Sequence, residues 1–576
     1  MTPSSTPTVS ALPQQPLRDL DSTVHAQLAQ LTMGLSPTSM ALACLDWLAH
    51  LAVSPGKQQA LAMQAMQQAP SNDLARSNAE PQAKDRRFSA PEWQRWPFDQ
   101  IATTFQNQER WWMEATTGVH GVSPHHEQQV AFLARQVLDM WSPSNFLCTN
   151  PEVLATTIES GGANLLQGAR NQWQDTTRLL GGLPSAGSEP FQPGKDVAIT
   201  PGKVVFRNHL IELIQYAPQT KSVFAEPVLI VPPWIMKFYI LDLSPADSLV
   251  RYLVEQGHTV FIVSWLNPGA EDRNLGMDDY LKSGVMAAMD AVSSIVPKRK
   301  VQALGYCLGG TLLSIAAAFM ARTGDTRLNT LTLLTSELDF SEPGELSLFI
   351  DESQLNVLDN MMSDKGYLDG AQMAGAFALM NARDLLWSRM VSAYLMGRSP
   401  PASDLGAWNA DATRMPYRQH SEYLRGLYRD NDLAQGRYQV DGKPVALPDI
   451  RVPIFSLGTQ RDTVAPWRSV YKIHLLARSE VTFCLSSGGH NVGVVNPPGQ
   501  GVSRSYQLAT HAVDDHYVDP DTWLATAPAR DGSWWPAWEA WLQVHAGKRV
   551  ALPTMGNEAA GYPPLDDAPG RYVLIT

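Results

Sequence analysis

From residue 228 onward the chain alternates two patterns of apolar residues. Short, nearly continuous apolar runs occur at Val228–Val231, Thr259–Ser264, Val301–Leu304, Leu328–Leu334, Pro453–Leu457 and Val481–Leu485. Between several of them lie stretches in which apolar residues return every three or four positions, as at Ser248–Gln256 and Asp278–Ile295. Runs without polar alternation predict strands buried on both faces, and the intervening period predicts helices that cover them, so this half reads as an α/β domain with a mostly parallel sheet. The interval from about 341 to 450 breaks the rhythm with aromatic, proline-rich and helical segments. It reads as an insertion between two core strands, placed to cover whatever the sheet carries at that end.

The first third has only the helical period. Leu28, Leu31 and Leu35, then Leu42, Leu45, Leu48 and Leu51, predict two helices that meet near Ser36-Pro37, with proline at a helix start. Packing within their own domain is the expected use of these leucines, in preference to an adhesive face. The polar, proline-rich residues 1–20 predict disorder, and residues 70–88 predict an exposed linker. A second helical stretch, 91–182, carries Trp93, Trp96, Trp111, Trp112 and Trp141, with starts at Ser123-Pro124, Ser142-Pro143 and Asn150-Pro151. A glycine- and proline-rich join from Gly181 to Pro190 ends it. The expected domains are therefore a helical extension and linker at 1–88, a helical domain at 89–195 and the α/β domain at 196–576.

Composition narrows the function. With 576 residues, 44% hydrophobic and 17% charged, the chain can bury more than one core. A formal net charge of −12 argues against nucleic acid, which needs a basic surface. The four cysteines, at 44, 148, 307 and 484, have no paired spacing for zinc or a disulfide framework, which points to a reducing compartment. The start of the chain lacks a signal-peptide pattern, and no apolar run approaches a membrane span, so a cytoplasmic protein without a transmembrane segment is expected. His125-His126-Glu127 lack metal-ligand spacing and read as surface residues. No metal or cofactor is expected.

The candidate chemistry begins at Gly305-Tyr-Cys307-Leu-Gly309, where an apolar strand runs into a strong helix former, Thr311–Ala321. Small residues two before and two after a nucleophile permit the sharp strand-to-helix turn of the α/β-hydrolases, here with sulfur in place of oxygen. The N-terminal end of the following helix favours a thiolate. Such an elbow predicts an acid and then a histidine after later strands. Asp462 follows the run at Pro453–Leu457, and His490 follows the run at Val481–Leu485. His490 would take the thiol proton while Asp462 holds its tautomer. Cys484, inside a strand run, reads as a core residue.

Longer stretches carry a resemblance. Ser142-Pro-Ser-Asn-Phe146, Val231-Pro-Pro-Trp-Ile-Met-Lys-Phe-Tyr239, Ser264-Trp-Leu-Asn-Pro268, Trp408-Asn-Ala-Asp-Ala-Thr413, Gly489-His-Asn-Val-Gly493 and Gly532-Ser-Trp-Trp-Pro-Ala-Trp538 resemble the polyhydroxyalkanoate synthases, most closely the class I type. The likeness runs from about residue 91 to the C-terminus, and the 22–69 helices resemble an additional segment found in some members. It implies an α/β-hydrolase fold with a cap insertion, a helical N-terminal domain, and the family nucleophile, acid and histidine at Cys307, Asp462 and His490. The implied reaction transfers an acyl group from (R)-3-hydroxyacyl-coenzyme A to Cys307, short-chain substrates being expected, and passes it to a polyester chain. Backbone N–H groups of Leu308, Trp234 and Ile235 are the implied oxyanion donors. The implied partners are the acyl-coenzyme A substrate, the growing polyester and its granule surface, and a second copy in a homodimer; the implied location is cytoplasmic and granule-associated. Met236 stands where members usually carry asparagine, and Thr463 where many carry histidine. A cysteine hydrolase of the dienelactone type, with the same elbow, and a non-catalytic granule scaffold are the alternatives.

Overall fold

The computed structural model describes residues 24, 27, 29, 32, 34–68, 85–181, 191–380, 382–399, 402–499 and 504–576. Residues 1–20, Leu28, Leu31, most of the expected linker and the join at 182–190 lie outside the described residues.

The N-terminal helices are α1 (Pro37–Ala52) and α2 (Pro55–Gln68). Ser36 caps α1 by accepting the Ser39 N–H, with proline in the first turn. From Pro37 onward the sequence pattern predicts a single helix. It is cut at Ser54-Pro55, because proline cannot donate inside a helix and drives its predecessor out of the helical region. The leucines also face the other way from the expectation: Ser39 and Ala43 are buried, whereas Leu42, Leu45 and Leu48 are each about half exposed. The small face of α1 packs inward on α4, and the leucine stripe meets solvent.

The second helical layer comprises α3 (Phe98–Thr116), α4 (Pro124–Met140), α5 (Pro151–Glu159) and α6 (Ala163–Leu180). The Ser142-Pro143 start yields only a single short 3-10 turn, Pro143–Asn145, whereas Asn150 caps α5 as expected. Phe88 packs edge-on with Trp93 and Phe105, so the residues around the expected join at 88 already belong to this layer. Arg87, almost buried, ties Asp85 at 2.6 Å, Glu109 at 2.8 Å and Asp139 at 3.2 Å, and Arg383 of the insertion reaches Asp139 at 2.7 Å. Charges this far from water need such partners. His125 and His126 are not free surface residues: His126 Nδ1 lies 2.6 Å from Asp46 Oδ2, and His125 lies 3.7 Å from Asp351.

The remainder is one ten-stranded sheet: β1 (Gly202–Arg207), β2 (Ile211–Tyr216), β3 (Val228–Val231), β4 (Val260–Trp265), β5 (Val301–Tyr306), β6 (Leu328–Leu334), β7 (Ile454–Thr459), β8 (Val481–Ser486), β9 (Ser505–His511) and β10 (Ala529–Asp531). Their order is β1-β2-β4-β3-β5-β6-β7-β8-β9-β10. Strands β4 to β8 in that order pair in parallel, with antiparallel β1–β2 and β9–β10 at the edges. All six apolar runs of the sequence are strands of the parallel centre, and β4, β5, β7 and β8 are buried along their whole length. Helices α7 (Leu249–Gln256), α8 (Ala287–Ile295) and α9 (Leu308–Thr323) link or cover these strands. This is an α/β-hydrolase sheet. Between β6 and β7 the chain leaves it for a mainly helical excursion that includes α10 (Glu352–Lys365) and α11 (Gly370–Met380), then Tyr417–Tyr423. Helix α12 (Trp535–Val544) closes the opposite face with Trp535 and Trp538 fully buried.

Candidate active site

Strand β5 delivers Cys307 at the start of α9, and the turn between them is strained. Cys307 has φ 52° and ψ −125°, a conformation that costs a side-chain-bearing residue on the order of 1–3 kcal/mol. Neighbouring backbone holds it there: the Cys307 N–H bonds Leu334 O at the end of β6 at 2.8 Å, and its carbonyl accepts from Gly310 and Thr311. The elbow also needs room. A Cβ on Gly309 would sit 2.6 Å from Pro232 O and closer still to Val231 O, so only glycine lets the start of α9 press against the loop after β3.

That contact sets the start of α9 against the loop after β3, the two segments that carry the expected oxyanion donors. The first N–H groups of α9, beginning with Leu308, have no carbonyl one turn earlier to bond. In the facing loop Pro232 and Pro233 have no N–H, so Trp234 and Ile235 carry the first ones after β3. The insertion pins this loop, with Thr413 Oγ1 donating to Trp234 O at 3.2 Å and Trp408 Nε1 to Lys237 O at 2.8 Å. Met236 pairs its backbone with Ala412 and packs against both apolar cores that flank the sheet, so its position suits an apolar side chain.

Asp462 leaves the end of β7 and is gripped from three directions. Its Oδ1 accepts the N–H groups of Val464 and Ala465, both at 2.9 Å, and Oδ2 accepts Thr459 Oγ1 at 3.1 Å. The Val464 bond closes a tight turn across Thr463. Oδ2 also receives His490 Nδ1 at 2.8 Å, which leaves Nε2 as the ring nitrogen free of Asp462. Burial works against an imidazolium here, but the Asp462 carboxylate and the Cys307 sulfur outweigh it and hold the His490 pKa well above the ordinary histidine value. The three expected side chains therefore converge, each from the end of its own strand.

Sequence reasoning missed the groups that support them. Tyr306 places its ring 5.7 Å from that of His490 and donates its hydroxyl to Asn491 Oδ1 at 2.6 Å. Trp534 and Trp535 donate their indole N–H groups to Gly493 O and Val494 O at 2.9 and 3.0 Å, bracing the histidine loop from α12. Tyr423 of the insertion meets Trp234 edge-on at 5.9 Å and Tyr428 at 5.3 Å, and burial pushes both phenols well above the ordinary tyrosine value. Glu337, three residues beyond β6, is buried beside them. Its one sequence signal is its position just past the C-terminal end of a parallel strand, where α/β sheets carry their sites. Cys484 lies fully inside β8, and burial pushes its thiol up, as for a core residue. Among the described residues no cluster of three or more His, Cys, Asp or Glu could hold a metal, and no helix is long and apolar enough to cross a membrane.

A strained cysteine elbow, an aspartate-held histidine and an α/β-hydrolase sheet define an acyl-transfer class of enzyme. The family model for the α/β hydrolase fold matches residues 226–497, those for the poly-beta-hydroxybutyrate polymerase N-terminus and N-terminal segment residues 84–253 and 15–57. The chain is 42% identical over 499 residues to a poly(3-hydroxyalkanoate) polymerase of Methylorubrum extorquens, spanning 86% of this chain and 82% of that protein. It is 39% identical to the poly(3-hydroxyalkanoate) polymerase subunit PhaC of Cupriavidus necator (85% and 83% of the two chains) and 34% identical to poly(3-hydroxyalkanoate) polymerase 1 of Ectopseudomonas oleovorans (87% and 88%). The chain belongs to the poly(3-hydroxyalkanoate) polymerase family, whose members are acyltransferase-type enzymes.

Proposed function

We propose that this enzyme builds a polyester from (R)-3-hydroxyacyl-coenzyme A, short-chain units such as 3-hydroxybutyryl among them, with Cys307 as nucleophile. The observation that carries the reading is the hydrogen bond by which Asp462 holds His490, beside a strained Cys307 elbow, in a chain of this family. His490 Nε2 takes the thiol proton as sulfur attacks the thioester carbonyl. The carbon–sulfur bond to coenzyme A breaks, and its thiolate leaves with that proton. The hydroxyl of a second unit, deprotonated by His490, then attacks the acyl-cysteine; an ester bond forms and the Cys307–carbonyl bond breaks. Leu308 on one side and Trp234 and Ile235 on the other are the backbone donors suited to the oxyanion of both steps. One thioester exchanged for another is close to thermoneutral, so the sulfur can hold the acyl group until a hydroxyl arrives.

Water in place of the hydroxyl would release free acid, and the insertion is the element suited to keeping it out. Its Tyr423 is buried against the loop that carries Trp234, and Tyr428 packs on Tyr423. Attachment to the polyester granule is supported by the outward leucines of α1. Incubating the purified protein with (R)-3-hydroxybutyryl-coenzyme A, and following thiol release and product together, tests the proposal. Thiol with insoluble polymer is expected; thiol with free hydroxy acid would make it a hydrolase, and no thiol a scaffold.

A further inference from the structure

Strand β6 lies between β5, which delivers Cys307, and β7, which delivers Asp462, so the turn that ends β6 opens between nucleophile and acid. That turn is tightly fixed. Thr335 adopts φ 44° with its N–H bonded to Leu457 O at 2.7 Å, and Ser336 bonds Leu334 O against Gly310. The next residue, Glu337, is 5% exposed, and its carbonyl is held by Thr311 Oγ1 at 2.8 Å.

Burial first, and then the charges of Asp462 and Cys307, push the Glu337 carboxyl well above the ordinary glutamate value. One of its oxygens, Oε1, is buried with no hydrogen-bond partner, on a turn that Thr311 ties to the Cys307 end of α9. A buried acceptor left unpaired costs free energy unless something supplies the donor.

Resting on Cys307 as nucleophile, we propose that Glu337 determines specificity: its Oε1 accepts a hydrogen bond from the 3-hydroxyl of the acyl group bound at Cys307. That hydroxyl is the acyl unit's own donor, two carbons from the carbonyl under attack. A site built to pair a hydroxyl rejects analogues that lack one far more strongly than an apolar pocket does. The base remains His490.

Single-turnover acylation tests this, with thiol release and intact-protein mass read for wild type, Glu337→Met and Glu337→Gln. The substrates are (R)-3-hydroxybutyryl-coenzyme A and butyryl-coenzyme A. Wild type should acylate faster with the hydroxy substrate by about tenfold or more. Glu337→Met should lose roughly 10- to 100-fold with that substrate and stay within about twofold with butyryl-coenzyme A. Glu337→Gln keeps an acceptor oxygen on a side chain of the same length and should retain most of the wild-type preference. Equal loss on both substrates, no loss on either, a glutamine variant as impaired as the methionine one, or a wild type without preference would each overturn the proposal. If the methionine variant does not fold, the wild-type preference and its retention by the glutamine variant still decide. A wild type that releases no thiol would instead sink the reading of Cys307.

Discussion

The end of the sheet that carries Cys307 and the outer helical layer that carries α1 are held by different kinds of bond. At the sheet, main chain fixes each reacting group: Leu334 O takes the Cys307 N–H, and the N–H groups of Val464 and Ala465 take Asp462. In the outer layer, side chains dominate. The Ser36 N–H donates to Gln354 Oε1 at 2.7 Å, Ser39 Oγ to Asp351 and Gln129 Nε2 to Leu348 O at 2.8 Å, all against the insertion. Backbone geometry is dictated by fold and tolerates little change; side-chain contacts on a helix can be exchanged one at a time. Chemistry and attachment can therefore be separated by mutation.

The largest effect should come from Cys307→Ala, which removes the sulfur and keeps the Cβ. Thiol release is expected to fall to background with an unchanged melting temperature. Turnover by a folded variant would break the assignment. Next come the two partners of the sulfur. A thiol is partly ionised near neutral pH, so acylation tolerates a badly oriented histidine, whereas the 3-hydroxyl, with an alcohol's high pKa, needs an oriented base. Asp462→Asn should give a burst of about one thiol per site and then elongate roughly 10²- to 10⁴-fold more slowly. His490→Ala should impair both phases. Rapid quench with mass spectrometry of the acylated enzyme separates them; an asparagine variant without a burst, or with normal elongation, contradicts the division of roles.

Glycine offers the same substitution in both regions with opposite sign. Gly309→Ala forces a Cβ onto Val231 O and Pro232 O, and should cost on the order of 3 kcal/mol with loss of activity. Gly56→Ala, in the first turn of α2 with nothing within 4 Å, should stabilise by about 0.5–1 kcal/mol. Chemical denaturation of the two variants reads both. Equal signs would mean that the close packing at the elbow is not specific to it.

The same contrast explains what could be read from sequence. Cys307, Asp462 and His490 were legible because each follows an apolar run buried on both faces. Strands β1 and β2 escaped because their polar residues, such as Lys203, Glu212 and Gln215, interrupt the apolar pattern at the sheet's edge. Glu212, fully buried, takes Arg207 and the N–H groups of Arg571 and Tyr572. Pairings across layers, such as His126 with Asp46 or Arg87 with Glu109 and Asp139, have no local signal at all. Glu337 was missed for a related reason: a glutamate after a strand looks like a solvated loop residue until the insertion buries it.

Buried acid at the site should also show in pH dependence. Glu337 has a folded-state pKa raised above its unfolded value near 4.5, so its contribution is fully present below that pH and is lost as pH rises through the folded pKa. Glu337→Gln cannot lose a proton. Its stability relative to wild type should therefore improve above about pH 4.5, by up to about 1.4 kcal/mol per pH unit within the window. Parallel melting curves from pH 5 to 8 would mean that the wild-type carboxyl is not protonated in the folded protein.

The smallest effect on folding should come from the outward face of α1. Leu42, Leu45 and Leu48 are about half exposed, and their helix is anchored through Ser39 and Ala43 instead, so each leucine contributes little to the core. Changing all three to serine should shift stability by about 0.5 kcal/mol or less per site. Acylation of Cys307 should be unaffected, because the contacts of Ser36, Ser39 and Gln129 with the insertion remain. Co-sedimentation with poly(3-hydroxybutyrate) particles, however, should fall. Deleting residues 1–84 tests more, since it removes the Ser36 and Ser39 contacts while leaving Asp85, Arg87 and Phe88 in place; a cut after residue 88 would strip Arg87 from Glu109 and Asp139. If the triple variant binds particles normally, the leucine stripe is not the adhesive face. If it binds them poorly and also acylates slowly, the outer layer reaches the site through α10, and attachment and chemistry are coupled across the insertion.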